Sequence, residues 1–348
     1  MTLGPLMLDI AGTALTAEDR ELLAHPHVGG VILFSRNYED PAQLEALVGE
    51  IHAVRQPPLL VAVDQEGGRI QRFRDGFTPI PAAHFIGRRY DLDPSTGEML
   101  AEASGWLMAA ELRALGVDLS FAPVLDLDYG VSEVIGDRAF HRDPEVVARL
   151  AGRYAAGMRA AGMAATGKHF PGHGGVAADS HLTLPEDRRS YQDLLDDMRP
   201  YELLVGQGLS AVMVAHVVYP RLDRVPAGFS RWWLNNELRT RLKFHGVVFS
   251  DDLSMAGAAV AGTVADRSRV ALEAGCDMVL VCNDRPGAVA VVEALGDWCE
   301  PASQLRLARL HGRPGNWVGP LRDSEAWQLA EARVRRIEDE RPNLVLDG

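Results

Sequence analysis

The side chains able to do acid–base or nucleophilic chemistry in this sequence sit where its apolar runs stop. One run ends in Asp64 and continues Gln-Glu-Gly-Gly-Arg69-Ile-Gln-Arg72. The next leads to Asp126 and Asp128, then to VIGDRAFH with Asp137 and Arg138. Others end in Lys168-His169, in His216, in Asp251-Asp252 and in Asn283-Asp284. A single Asp after a strand is commonly the N-cap of the next helix, but six ionisable endings need a further reason. Asp251 and Asp252, as neighbours on a strand, point to opposite sides, so one can cap while the other faces the chemistry. Lys168, Arg72 and Arg138 form a candidate cationic wall, holding substrate or lowering the pKa of a nearby carboxylate. The competing role for them is an ion-pair network with Asp64, Asp126 or Asp137.

The most heavily loaded stretch is 168–181, with Lys168, His169, His173, Asp179 and His181 among small residues. Asp179-Ser180-His181 sets a carboxylate two residues from an imidazole, near enough to orient it and stabilise its charge. Pro171 with Gly174, Gly175, Ala177 and Ala178 reads as a movable loop on a rigid base. Three histidines also suit a metal ion, but Lys168 and the arginines nearby oppose a bound cation, and no metal or other cofactor is expected.

Gathering these groups requires elements that all deliver their ends to one place. Eight apolar runs, at 5–10, 30–34, 59–64, 117–122, 163–168, 210–216, 246–251 and 277–282, read as strands. Lacking strict alternation, they predict parallel strands covered on both faces. Amphipathic helical patterns lie between them, among others at 40–54, 98–116, 144–162 and 232–244. Several start conventionally, with Thr16 before Glu18 and Asp19, or Asp40 before Pro41. Eight βα units predict an α/β fold, a (β/α)8 TIM barrel, over an open doubly wound sheet, whose GxGxxG after a strand is missing. Further helical patterns at 301–311 and 323–338 follow without a linker-like boundary. Residues 1–348 are therefore expected to form one catalytic domain, with the helices after about 300 packed on the barrel. Links from helix to strand are short, as at Gly116 and Gly162, whereas strand-to-helix links are long at 65–95, 123–143, 169–189 and 217–230. In a barrel those four open on the C-terminal face, where barrel enzymes keep their chemistry.

Composition narrows the partners. Of 348 residues, 47% are hydrophobic and 24% charged, enough for a large core without staples. A net charge of −13 opposes a nucleic-acid or anionic-membrane partner, both of which need a basic patch. Cys276, Cys282 and Cys299 show no CxxC spacing and fit neither a disulfide framework nor a zinc knuckle. The first twelve residues carry Asp9 and no Lys or Arg, unlike a signal peptide, and no apolar run approaches the ~20 residues of a membrane span. A monomeric cytoplasmic protein is expected.

Four motifs then acquire a common meaning. DQEGGRIQRF (64–73), VIGDRAF (134–140), KHFPGHG (168–174) with DSH (179–181), and FSDDLSM (249–255) together resemble the single-domain β-N-acetylglucosaminidases of glycoside hydrolase family 3, bacterial enzymes of peptidoglycan recycling. The likeness runs from about residue 5 to about residue 300. It implies a (β/α)8 barrel, a nucleophile at Asp251, and a general acid/base at His181 with Asp179 as its partner. It places sugar binding at Asp64, Arg72, Arg138, Lys168 and His169. The implied activity is a retaining exo-β-N-acetylhexosaminidase that frees terminal N-acetylglucosamine from muropeptide fragments, with a glycan as its partner. Gly175-Val176 departs from the acidic residue that many relatives carry after GHG. Imidazole as acid/base suits both halves of a double displacement, because its ordinary pKa lies near ~6.5. Two other readings stay open at this point, a Schiff-base aldolase using Lys168 and a non-catalytic sugar-binding barrel.

Overall fold

Eight short parallel strands set the frame in a computed structural model that describes residues 2–177 and 184–346. They are β1 (Leu6–Leu8), β2 (Val28–Leu33), β3 (Leu60–Val63), β4 (Leu119–Ser120), β5 (Thr166–Phe170), β6 (Ala211–Val214), β7 (Val247–Asp252) and β8 (Met278–Val281). Each overlaps one of the predicted runs. Their order around the sheet is β4-β3-β2-β1-β8-β7-β6-β5. The remaining seam, between β4 and β5, closes through parallel bridges at Leu119–Ala164 and Val124–Lys168. Thr166 N donates to Ala122 O at 2.8 Å and Leu125 N to Lys168 O at 2.7 Å across it. The result is the (β/α)8 barrel that the sequence predicts.

Strand alternation sorts the apolar side chains into two layers. Met7, Ile32, Leu60, Ala62, Phe121, Met213, Phe249 and Leu280 form the cluster inside the ring. Leu6, Leu8, Val31, Val61, Val63, Val248, Val279 and Val281 join the larger cluster beneath the helices. Phe121 and Phe249 meet edge to face at 5.2 Å between centroids, filling the barrel with side chains. The same parity runs on past the apolar residues. Leu60, Ala62 and Asp64 share one side of β3, and Val247, Phe249 and Asp251 one side of β7, so both carboxylates rise from the inner layer at the C-terminal mouth.

The helices start as their sequences demand. Thr16 and Asp19 form a reciprocal capping box, and Asp40, Asp93 and Asp143 cap the helices Pro41–Ala53, Pro94–Ala114 and Pro144–Ala160, each opening on its proline. Gly116 and Gly162, both at φ +87, end two of them, in the left-handed region that glycine enters without strain. The 232–244 pattern forms Trp232–Arg241, wound with the wider π-helical turn. Two long connections hold more structure than the sequence predicts. Residues 65–95 contain the hairpin Gln65–Gly67/Ile70–Gln71 and the helix Ala83–Leu92, and 217–230 contains the hairpin Val218–Tyr219/Asp223–Pro226. Strands this short leave no periodicity to read, and Ala83–Leu92 begins without a capping side chain.

The last helices rest on the barrel. Trp327 Nε1 donates to Glu111 at 2.9 Å, Gly312 N to Asp118 at 2.9 Å, and Arg306 pairs with buried Asp277 at 2.6 Å. Among the described residues no helix is long and apolar enough to cross a membrane.

Candidate active site

A cavity of about 610 Å³ opens at the C-terminal mouth, and Asp64, Arg72, Arg138, Lys168, His169 and Asp251 all line it. Six of the eight predicted site residues thus meet, delivered by β3, the loops after β3 and β4, β5 and β7. Asp179 and His181 lie outside the described residues. Ala177, just before that stretch, lines the cavity as well.

Charge in the cavity is organised around Lys168 and a residue the sequence reading missed, Glu66. Lys168 Nζ lies 2.8 Å from Asp64 Oδ1 and 2.6 Å from Glu66 Oε1. Arg138 grips Glu66 with both arms of its fork, Nε and Nη2 each 2.9 Å from a carboxylate oxygen. Burial would raise the Glu66 carboxyl, but Arg138 and Lys168 outweigh it and hold it well below the usual carboxylate range. Burial would likewise strip the proton from Lys168, yet Asp64 and Glu66 more than offset it and raise its pKa. Lys168 is therefore a fixed ammonium. A Schiff base requires the neutral amine as nucleophile, so the aldolase reading fails on this geometry. The cationic wall and the ion-pair network turn out to be one structure, with Glu66 in the place predicted for Asp126 or Asp137. Asp137 instead pairs with Arg69 at 2.8 Å. Arg72 sits more loosely, 3.8 Å from Asp64 and over the Phe34 ring at 5.8 Å.

His169 is held from behind by Asp126, whose side chain is fully buried. Asp126 Oδ2 accepts from His169 Nδ1 at 2.7 Å, and Oδ1 accepts from the His173 backbone N–H at 2.7 Å. Burial opposes the Asp126 charge, but His169 beside it prevails and lowers its pKa. An ionised carboxylate only accepts, so Nδ1 carries the proton and His169 Nε2 is turned to Arg138 Nη2, 3.4 Å away. Burial, with His169 adjacent, keeps the His173 imidazole below its ordinary pKa.

The two neighbouring aspartates of β7 separate as alternation requires. Asp252 accepts from Ser254 N at 2.9 Å, Ser254 Oγ at 2.7 Å and Cys282 N at 3.0 Å, bracing the turn after β7 against β8. Burial pushes its carboxyl up to about 6. Asp251 accepts the Asp252 N–H at 2.8 Å and lines the same cavity as Lys168, Glu66 and Arg138. Other strand ends turn out to be structural. Asp284 caps the helix Arg285–Ala294, and His216 is wholly buried with Nε2 on the Asp252 carbonyl at 3.1 Å. The signal for Glu66 was available: it stands two residues after Asp64, on the same side of an extended chain.

A closed parallel barrel with carboxylates, imidazole and a buried cation cluster at its C-terminal mouth defines an enzyme of the barrel glycosidase kind. The chain belongs to glycosyl hydrolase family 3, whose N terminal domain model matches residues 6–309. The β-hexosaminidase of Thioalkalivibrio sulfidiphilus is 61% identical over 347 residues, all of both chains, and that of Alkalilimnicola ehrlichii 56% identical over 96% of this chain and 97% of its own. NagZ from Neisseria gonorrhoeae, solved in complex with N-trifluoroacetyl-D-glucosamine, superposes with a TM-score of 0.91 at 44% identity, covering 97% of this chain and 98% of that one. The same Neisseria protein is also known with a zinc ion; among the described residues here no three His, Cys, Asp or Glu side chains group to hold a metal. The chain is a glycoside hydrolase of the β-hexosaminidase type, which removes the non-catalytic reading as well.

Proposed function

We propose that this chain is a retaining exo-β-N-acetylglucosaminidase that frees terminal N-acetylglucosamine from GlcNAc-anhydro-N-acetylmuramyl-peptides. It works in the cytoplasm as a monomer, residues 1–348 forming one catalytic domain. The observation that carries the reading is the division of labour at the end of β7. Both aspartates line the cavity that the cation cluster shares, but Asp252 is engaged by the turn after β7, whereas Asp251 follows Val247 and Phe249 on the inner side of the strand. Asp251 attacks the anomeric carbon while His181 protonates the departing oxygen, giving a glycosyl ester on Asp251. His181 then takes a proton from the water that cleaves that ester, and Asp179 stabilises the imidazolium formed in each cycle. Lys168, Arg138, His169, Arg72 and Asp64 hold the sugar, and a hydroxyl donating to the Asp64 carboxylate binds it more strongly as positive charge spreads over the ring. The N-acylated glucosamine bound by the Neisseria relative supports the choice of sugar. No step draws on a metal or cofactor.

The test is turnover of p-nitrophenyl β-N-acetylglucosaminide followed by trapping with a slowly hydrolysed 5-fluoro glycosyl fluoride of the same sugar. A mass increment on the peptide containing Asp251 is expected. Label on another residue, or inversion of anomeric configuration in the product, overturns the mechanism. A sugar 1-phosphate formed when phosphate is added would transfer the second half-reaction from water to phosphate.

A further inference from the structure

A second cavity, of about 140 Å³, lies at the opposite end of the barrel from the mouth, where β5 and β6 begin. Arg159, Arg309 and Arg313 line it with His311, Gln207 and Ser210, and no Asp or Glu contributes to its wall. Such a wall stands out in a chain with 48 acidic residues against 35 Lys and Arg. The same segments pair their other arginines. On the helix Pro144–Ala160, Arg149 and Arg153 reach Glu98 at 3.6 and 3.0 Å, yet Arg159 finds a carbonyl instead, Gln207 O at 3.3 Å. Arg306 reaches Asp277 at 2.6 Å, whereas the exposed Arg309 and Arg313 that follow it meet no carboxylate among the described residues.

The backbone behind these side chains is fixed. Arg313 N donates to Gly162 O at 2.8 Å, Arg113 Nε to Arg313 O at 3.2 Å, and Gly312 N to Asp118 at 2.9 Å. Gly162 permits that contact, since a Cβ there would lie 2.5 Å from Arg313 O. A ligand would therefore order side chains only, not the segment that carries them. His311 supplies a separate sign. Its Nε2 is buried and meets no hydrogen-bond partner among the described residues. Orphaned buried polar atoms are rare in folded proteins and commonly mark a bound ion or water.

The chemistry of the wall selects the ligand. Guanidinium forks carry permanent charge and pair bidentately with the oxygens of an oxyanion, while Gln207 and Ser210 add neutral donors. The cavity has under a quarter of the 610 Å³ at the mouth, which suits a small anion rather than the glycan. A polyanion needs a continuous basic track, and Glu98 and Glu102 interrupt one here by pairing with Arg149 and Arg153. We propose that this cavity binds a phosphate group, free or as a small monoester, at a site separate from the active site.

The test is isothermal titration with inorganic phosphate and with glycerol 2-phosphate, at ionic strength held constant with chloride. Wild type, Arg309→Gln, Arg313→Gln and the double variant are compared. Saturable one-to-one binding is expected in wild type, unchanged when N-acetylglucosamine saturates the mouth. Each single substitution should weaken it about tenfold or more, and the double variant should abolish it. All should keep kcat/KM on the aryl glycoside within about twofold in phosphate-free buffer, since the exposed arginines stand away from the chemistry. Binding of both probes assigns the site to the phosphate group itself, and binding of the monoester alone to an esterified ligand. Heats that follow ionic strength only overturn the proposal, as does phosphate binding that N-acetylglucosamine displaces and the double variant keeps. Thermal melts in chloride show whether each variant is folded; if Arg313→Gln is not, Arg309→Gln decides.

Discussion

Asp251 and Asp252 differ by one position and by everything that surrounds them. Three hydrogen bonds engage Asp252 in the turn, so Asp252→Asn should lower stability by about 1–2 kcal/mol and leave kcat within about tenfold. Asp251→Asn should melt as wild type does and lose turnover by at least ~10³-fold, because the ester cannot form. Activity on the aryl glycoside with parallel urea unfolding checks both; activity lost in Asp252→Asn and kept in Asp251→Asn would reverse the assignment. At this scale the sequence was legible where parity could be counted. Alternation gave the pair different surroundings, and the same count from Asp64 would have reached Glu66. Asp126 was seen as a strand ending, but its hold on His169 depends on β4 lying beside β5, a seam made of isolated bridges that no local pattern announces.

Strand ends are ambiguous from sequence because a helix cap and a catalytic carboxylate ask for the same residue in the same place. Asp64 and Asp284 both follow apolar strands, yet Asp284 accepts from Gly287 N at 2.9 Å and begins a helix, while Asp64 meets Lys168. Asp284→Ala should cost about 1 kcal/mol of stability with kcat/KM unchanged, measured by chemical denaturation and the chromogenic assay. A loss of kcat/KM beyond a few-fold would return Asp284 to the site. The barrel itself was readable because eight apolar runs with capped helices between them leave few other topologies. Its hairpins were not, since two or three paired residues carry no period. Nor were Gly172 and Gly175, whose close approach to Asp197 and Arg189 exists only in the folded chain.

Over the whole molecule, the burial that shapes the cavity also sets the response to acid. Burial holds the imidazoles of His173 and His216 below their ordinary pKa. Each then binds fewer protons folded than unfolded, so its contribution is complete above the unfolded pKa of ~6.5 and is lost as the pH falls. Asp197 and Asp252 act in the opposite direction. Burial raises both carboxyls to about 6, so their contribution is complete below the unfolded value of ~4 and is lost as the pH rises through 6. Glu66 and Asp126, both lowered, contribute fully above ~4 and lose that only in stronger acid. Between pH 5 and 7 the imidazoles and the two aspartates therefore oppose one another, each proton changing stability by at most ~1.4 kcal/mol per pH unit. Urea unfolding of wild type, His216→Gln and Asp252→Asn at pH 5 and pH 7 separates them. His216→Gln removes a term that weakens the fold in acid, so its change from pH 7 to pH 5 should be less destabilising than that of wild type. Asp252→Asn removes a term that strengthens it, so its change should be more destabilising. Each comparison is made within one variant, and a constant cost of substitution cancels. If both variants shift the pH dependence the same way, one of the two buried groups is not in the protonation state its surroundings dictate.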